Sequence, residues 1–524
     1  MRWNKILLTT AALALAPMFA AEAKTFRWAN DGDVTSMDPT YFNETFLLGF
    51  MGNIYEPLAR RSKTLELEPA LATKWEQKDP LTWRFTLRQG VKFHGGESFS
   101  ADDVVFSMER ARMDGSDVKS KLASVDKIVK VDDFTVDLIT KSPDPLLPGQ
   151  LATVFILSKS WAEKNGAAKP TDQKKKEEGF ATRNANGTGP FVLEKREPGV
   201  RTTLKVNANW WDKAEHNLTE VIFEPVPQAS TRLQALLSGQ VDMIYTISTQ
   251  DIDRVKKDAN LRMYEGPEMR TIFLGFDQKR DELPGSNVKG KNPFKDVRVR
   301  QAFYQAIDTK AIVSRVMRGA GTPTGLMVAP SVNGFDASLN ERYPVDPEGA
   351  KKLLAEAGYP EGFEVVMNCP NDRYANDGEI CQAIIPMLKR IGITIKPQIE
   401  SKATYFPIIL GRNSSFYLLG WTPDTYDSFN ALFNLMATPK EGGQGQFNLG
   451  SYSNAKLDDL TDKIRSETDQ TKRNAMIKEA FKIHKEEFGH IPLHQQALAW
   501  AAKKNVDLIQ GPDNIFQWRW VKVN

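Results

Sequence analysis

The sequence predicts an α/β protein of two lobes, with an α+β segment set into the first. Three observations carry this. The chain has 524 residues, 41% of them hydrophobic, which is more apolar material than one core accommodates. Period-two strands surround a capped helix between Trp83 and Ile139. From Asp346 onward, helical and strand patterns alternate with short connections, as in an α/β unit.

The elements follow in order. Residues 1–23 begin with Arg2 and Lys5, continue with the short apolar run Ile6 to Ala16, and end on Ala21-Glu22-Ala23, an A-x-A pattern. They predict a cleaved signal peptide, too short to span a bilayer comfortably and with no Cys at the cut for acylation. Trp83 to Leu87 alternates apolar and polar residues, so a half-buried strand is expected, with a turn near Gly90. Ser100 is placed to cap a helix over Ala101 to Ala111, and Val125 to Ile139 carries a second alternating set. Ser230 is expected to cap a helix that Gly239 stops, followed by a strand from Val241 to Ile247. Asp296 caps a helix with an apolar stripe of Val299, Ala302, Phe303 and Ala306. Asp346-Pro347 opens the next, and a strand from Phe363 to Met367 follows. A helix over 378–391, kinked at Pro386, and a strand through Ile393, Ile395 and Ile399 complete the unit.

Composition excludes several functions. A net charge of +3 over this length lacks the basic excess of a nucleic-acid binder. The five histidines give no metal motif: His490 and His494 have the helical spacing of a zinc pair, but Pro492 stands between them. Ser-x-x-Lys occurs at Ser116 and Ser124 without the Lys-Thr-Gly and Ser-Asp-Asn partners of a penicillin-binding site, and no nucleophile elbow or phosphate loop is present. No catalytic residue, metal or cofactor is therefore expected, and the protein is read as a binder, not an enzyme. An extracytoplasmic amidase or peptidase is the distant alternative. Cys369 and Cys381 are the two cysteines, and an exported protein can pair them, although two buried thiols also fit.

The run from Pro69 to Glu76 reads Pro-Ala-Leu-Ala-Thr-Lys-Trp-Glu. It is followed by Trp83 to His94, Phe99 to Ser107, Gly187-Thr188-Gly189-Pro190-Phe191, Asn207 to Trp211 and Asp296 to Ala302. Together these segments resemble the family 5 extracellular solute-binding proteins, the dipeptide and oligopeptide receptors of bacterial ABC importers. The resemblance implies a periplasmic-binding-protein fold with a hinge between two lobes and an extra α+β subdomain at about 70–190. Lobe I would span 24–278, completed by the tail 500–524, and lobe II 279–499. It implies a monomeric receptor in a Gram-negative periplasm that closes on a short peptide and presents it to the importer's permease subunits. An opine, glutathione, a glycoside or a nickel chelate is the alternative solute.

The resemblance also implies a site. An Asp after a Gly-Trp pair would hold the peptide ammonium, which here is Asp424 in Gly420-Trp421-Thr422-Pro423-Asp424, with Asp427 the competing acid and Trp421 an apolar wall. Arg373, in the loop after the Phe363 to Met367 strand, would fork onto the peptide carboxylate, with Cys369 and Cys381 bracketing that loop. Lobe I would add Tyr41 and Asn43, with Tyr245 beside the hinge.

Overall fold

The computed structural model describes residues 24–524, so the predicted signal peptide lies outside the described residues. Two long strands organise the molecule. Leu261–Phe276 and His490–Lys503 pair antiparallel, from Leu261 opposite Lys503 to Gly275 opposite His490. The ladder slips between Pro267 and Thr271, midway along the crossing, because Pro267 has no N–H to donate to it.

At one end these strands carry Met243–Ile244, Thr25–Asn30, Glu220–Pro225, Arg201–Val206 and Phe191–Glu197. At the other they carry Phe416–Trp421, antiparallel to Leu261–Phe276, then Glu364–Pro370 and Thr394–Glu400, with Glu364–Pro370 parallel to both its neighbours. This gives two lobes joined by two strands. In the first, Trp28, Phe46, Phe50 and Phe223 pack with Phe516 and Trp518 from the C-terminal tail, with Trp28 and Phe516 rings 5.4 Å apart. In the second, Phe276, Phe294, Phe303, Val365, Ile384 and Phe416 form a separate core.

The α+β segment is a four-stranded sheet, Ala72–Asp79, Thr82–Leu87, Thr135–Thr140 and Val125–Asp132 in spatial order. The helix Ala101–Arg112 lies on it and buries Val104 and Met108 against Phe85, Val136 and Leu138. Ser100 caps this helix as expected, and with Asp103 it makes a capping box.

Other elements differ from expectation. The 241–247 strand shortens to Met243–Ile244, because the chain is pinned by Asp242 to Arg27 and Lys503 and then bends. The helix expected to start at Ser230 spans Ala229–Leu237 with Gln228 at its cap position, so Ser230 lies in its first turn. The helix expected at 378–391 is present as Asp377–Lys389, with Pro386 inside it. His490 and His494 lie on a strand, where a helical metal spacing has no meaning.

Both histidines are buried, and burial pushes His490 down to about 3 and His494 to about 4. The unfolded chain, with ordinary histidines, then takes up protons that the folded chain refuses. Stability should therefore fall as pH drops from about 6.5 toward 4, by up to about 3 kcal/mol per group. Among the described residues, His494 has no hydrogen-bond partner at either ring nitrogen. Urea denaturation of His494→Gln should show a flatter decline over this range, and a profile parallel to the parent would contradict the assignment.

Candidate functional site

A cavity of about 1450 Å³, part of it open to solvent, lies between the lobes. Its walls come from the loop and helix at 42–52, the segment 56–65, the strand end at 419–424 and the tail at 509–520.

The buried strand Phe416–Trp421 delivers Trp421 and the loop after it to this cavity. Trp421 donates its indole N–H to Asn430 at 2.7 Å and packs on Phe447, which leaves a ring face as wall. The two acids of the loop separate cleanly. Asp427 caps the helix Ser428–Ala431 and takes a two-bond contact from Arg473 at 2.6 and 2.7 Å, fully inside the protein. Asp424 faces the cavity.

Asp424 is nevertheless partnered. Lys121, from the α+β segment, reaches across to its carboxylate, and Asn430 donates to the other oxygen at 2.7 Å. A smaller cavity of about 360 Å³ adjoins here, walled by Lys121, Asp424 and Asn430. The expectation that this carboxylate waits unpaired for a ligand is corrected: the chain itself supplies an ammonium.

Arg373 lines the same cavity from the loop after the strand Glu364–Pro370. Asp377 accepts from the backbone N–H groups of Arg373 and Tyr374, and the Cys369–Cys381 disulfide ties the strand end to the helix that follows. The pairing left open by the sequence is thus made. The Arg373 guanidinium sits over the Tyr374 ring and 3.1 Å from Glu44.

Glu44 was not singled out by sequence reasoning. It caps the helix Thr45–Met51 and lies 3.6 Å from Lys402 as well as beside Arg373. Burial would raise its carboxyl, but Lys402 and Arg373 outweigh burial and hold it below the usual range. Arg270, also unanticipated, donates to Thr45 at 2.9 Å and pairs with buried Glu268.

Asn43 lines the cavity, its backbone fixed by Asp117. Tyr245 does not: it is buried, stacked 4.9 Å from Trp500, with its hydroxyl donated to the Asn514 carbonyl. Tyr41 also falls outside the walls, half-buried against the first-lobe core. Both were placed by nearness along the chain, which does not fix the direction of a side chain.

Residues 66–443 match the family described as bacterial extracellular solute-binding proteins, family 5. The chain belongs to this family. Its relatives include heme-binding protein A of Haemophilus influenzae, 28% identical over 88% of this chain and 85% of that one. The dipeptide-binding protein of Escherichia coli is 27% identical over 94% and 91%. Among solved structures, DppA of Helicobacter pylori in complex with the peptide STSA superposes with a TM-score of 0.85. It is 24% identical and covers 96% of this chain and 98% of its own. A dipeptide-binding protein of Pseudoalteromonas in complex with Met-Leu gives 0.84, at 22% identity, covering 96% and 100%. Family members are extracellular or periplasmic solute-binding receptors, and no described helix here is long and apolar enough to cross a membrane.

Proposed function

We propose that the protein is a periplasmic receptor of a Gram-negative cell that captures a short peptide between its lobes and delivers it to an ABC-importer permease. Lobe I is taken as 24–278 with 500–524, and lobe II as 279–499. The observation that supports this most is a cavity between lobes with an acid, Asp424, and a base, Arg373, on loops that leave neighbouring parts of one sheet. A free peptide has one ammonium and one carboxylate to meet them.

Both groups already have partners from the opposite lobe, Lys121 for Asp424 and Glu44 for Arg373. Peptide binding is then an exchange of ion pairs. The ligand ammonium joins or displaces Lys121, and its carboxylate competes with Glu44. Exchange avoids the cost of several kcal/mol for a buried charge left alone. The two crossing strands allow the lobes to part and close around the ligand.

The receptor acts as a monomer by noncovalent binding, with no cofactor and no catalytic step. Receptor isolated from the periplasm should release, on unfolding, intact short peptides readable by mass spectrometry. Release of hydrolysed fragments would favour an amidase or peptidase, and release of a non-peptide solute would overturn the peptide reading.

A further inference from the structure

The charged groups of the cavity wall are not all in ion pairs. Most of the acids are spoken for. Asp424 holds Lys121, Glu44 holds Arg373 and Lys402, and Glu56 accepts from the indoles of Trp210 and Trp211 and the hydroxyl of Thr188. Asp513 accepts from the Tyr426 hydroxyl at 3.0 Å and has no ion pair among the described residues, and burial pushes its carboxyl up to about 6.

Most bases are also paired: Arg60 with Glu68 and Asp212, Lys63 with Glu215, Arg270 with Glu268. Arg61 is the exception. Among the described residues, no carboxylate lies within ion-pair distance of it.

Its guanidinium is positioned all the same. The plane lies over the Tyr426 ring, 4.4 Å from its centre, and Nη1 donates to the Leu65 carbonyl at 3.1 Å. Nη2 meets the Asp424 carbonyl only at 3.5 Å, and Nε is buried with no partner among the described residues. The edge formed by Nε and Nη2 is the one a carboxylate takes with two parallel bonds.

Arg519 stands next to it, donating to the Arg61 carbonyl at 2.7 Å. Its side chain is 8% exposed, its Nε also lacks a partner, and it lines the same cavity. Burial and then the nearby Arg60 bring its guanidinium down to about 10, although Glu68 lies 3.3 Å from it.

We propose that Arg61, backed by Arg519, is a subsite for an anionic group of the ligand, a carboxylate beyond the one taken by Arg373. The proposal rests on the reading of this cavity as the ligand site. Because Arg61 adjoins the Asp424 loop, where a peptide ammonium would sit, the extra carboxylate belongs to the side chain of the first residue. The receptor then selects peptides that begin with an acidic residue.

Calorimetric titration of the mature receptor with Glu-Leu, Gln-Leu and glutarate tests this, in the parent, Arg61→Gln and Arg61→Lys. Glu-Leu should bind at least about tenfold tighter than Gln-Leu, a difference that Arg61→Gln reduces to within about twofold and Arg61→Lys keeps in part. Arg61 makes no ion pair and loses only the Leu65 hydrogen bond and the Tyr426 stack, so the variants should keep a cooperative thermal transition within a few degrees of the parent's, which checks their folding. Equal binding of the two dipeptides, or a preference unchanged in Arg61→Gln, overturns the subsite and leaves the peptide reading standing. If only glutarate binds, and Arg61→Gln abolishes it, the subsite stands and the peptide reading fails. If no probe binds, both fall.

Discussion

Asp427→Ala is expected to destabilise the receptor by about 3–5 kcal/mol, whereas Asp424→Asn should change stability by less than about 1 kcal/mol and weaken ligand binding instead. Removal of Asp427 leaves the Arg473 guanidinium, 4% exposed, without its carboxylate and takes away a helix cap. Such a buried charge has no route back to water while the protein is folded. Asp424 is different because its partner Lys121 belongs to the facing side of the cleft. When the lobes part, a lone Lys121 regains solvent, so the cost falls on closure and not on folding. Urea denaturation and calorimetry on the two variants separate these roles. A large stability loss in Asp424→Asn with unchanged affinity would reverse the assignment.

Arg373→Gln should reduce peptide affinity at least about 100-fold, close to 3 kcal/mol, because a forked charge-assisted contact is lost and the ligand carboxylate is left unpaired. Glu44→Gln should act in the opposite direction. Glu44 lies 3.1 Å from Arg373 and would compete with the ligand carboxylate for it. A neutral amide at this position keeps the size of the side chain and frees Arg373, so affinity should hold or rise. A fall in affinity for Glu44→Gln comparable to that of Arg373→Gln would show that Glu44 supports the ligand site instead of competing for it.

The parts of the structure that were legible in the sequence are those written over short distances. The alternating strand around Phe85, the Ser100 helix cap and the apolar stripe from Val299 to Ala306 each depend on neighbours a few residues apart. The loop positions of Arg373 and Asp424 followed from a resemblance that fixes order along the chain, and both line the cavity. What the sequence concealed is pairing at long range. Lys121 meets Asp424 across 303 positions, and Arg519 meets Arg61 across 458. No local pattern records such contacts. Glu44 carried a weak local signal, an acid just before the helical run at Thr45, but its contact with Arg373 depends on how the lobes face each other. Tyr245 shows the reverse error. It lies near the crossing strands along the chain, yet the aromatic core of Trp28, Phe46 and Trp500 draws it inward.

The central claim is that this cleft recognises a short peptide by its two charged ends. Its most direct measurement is the affinity of one dipeptide in four forms: free, N-acetylated, C-amidated and blocked at both ends. Each single block should weaken binding by about tenfold or more, since each removes one charge-assisted contact, and the double block should weaken it further. Equal affinity for the free and doubly blocked peptides would contradict the account, because Asp424 and Arg373 would then not be holding the termini.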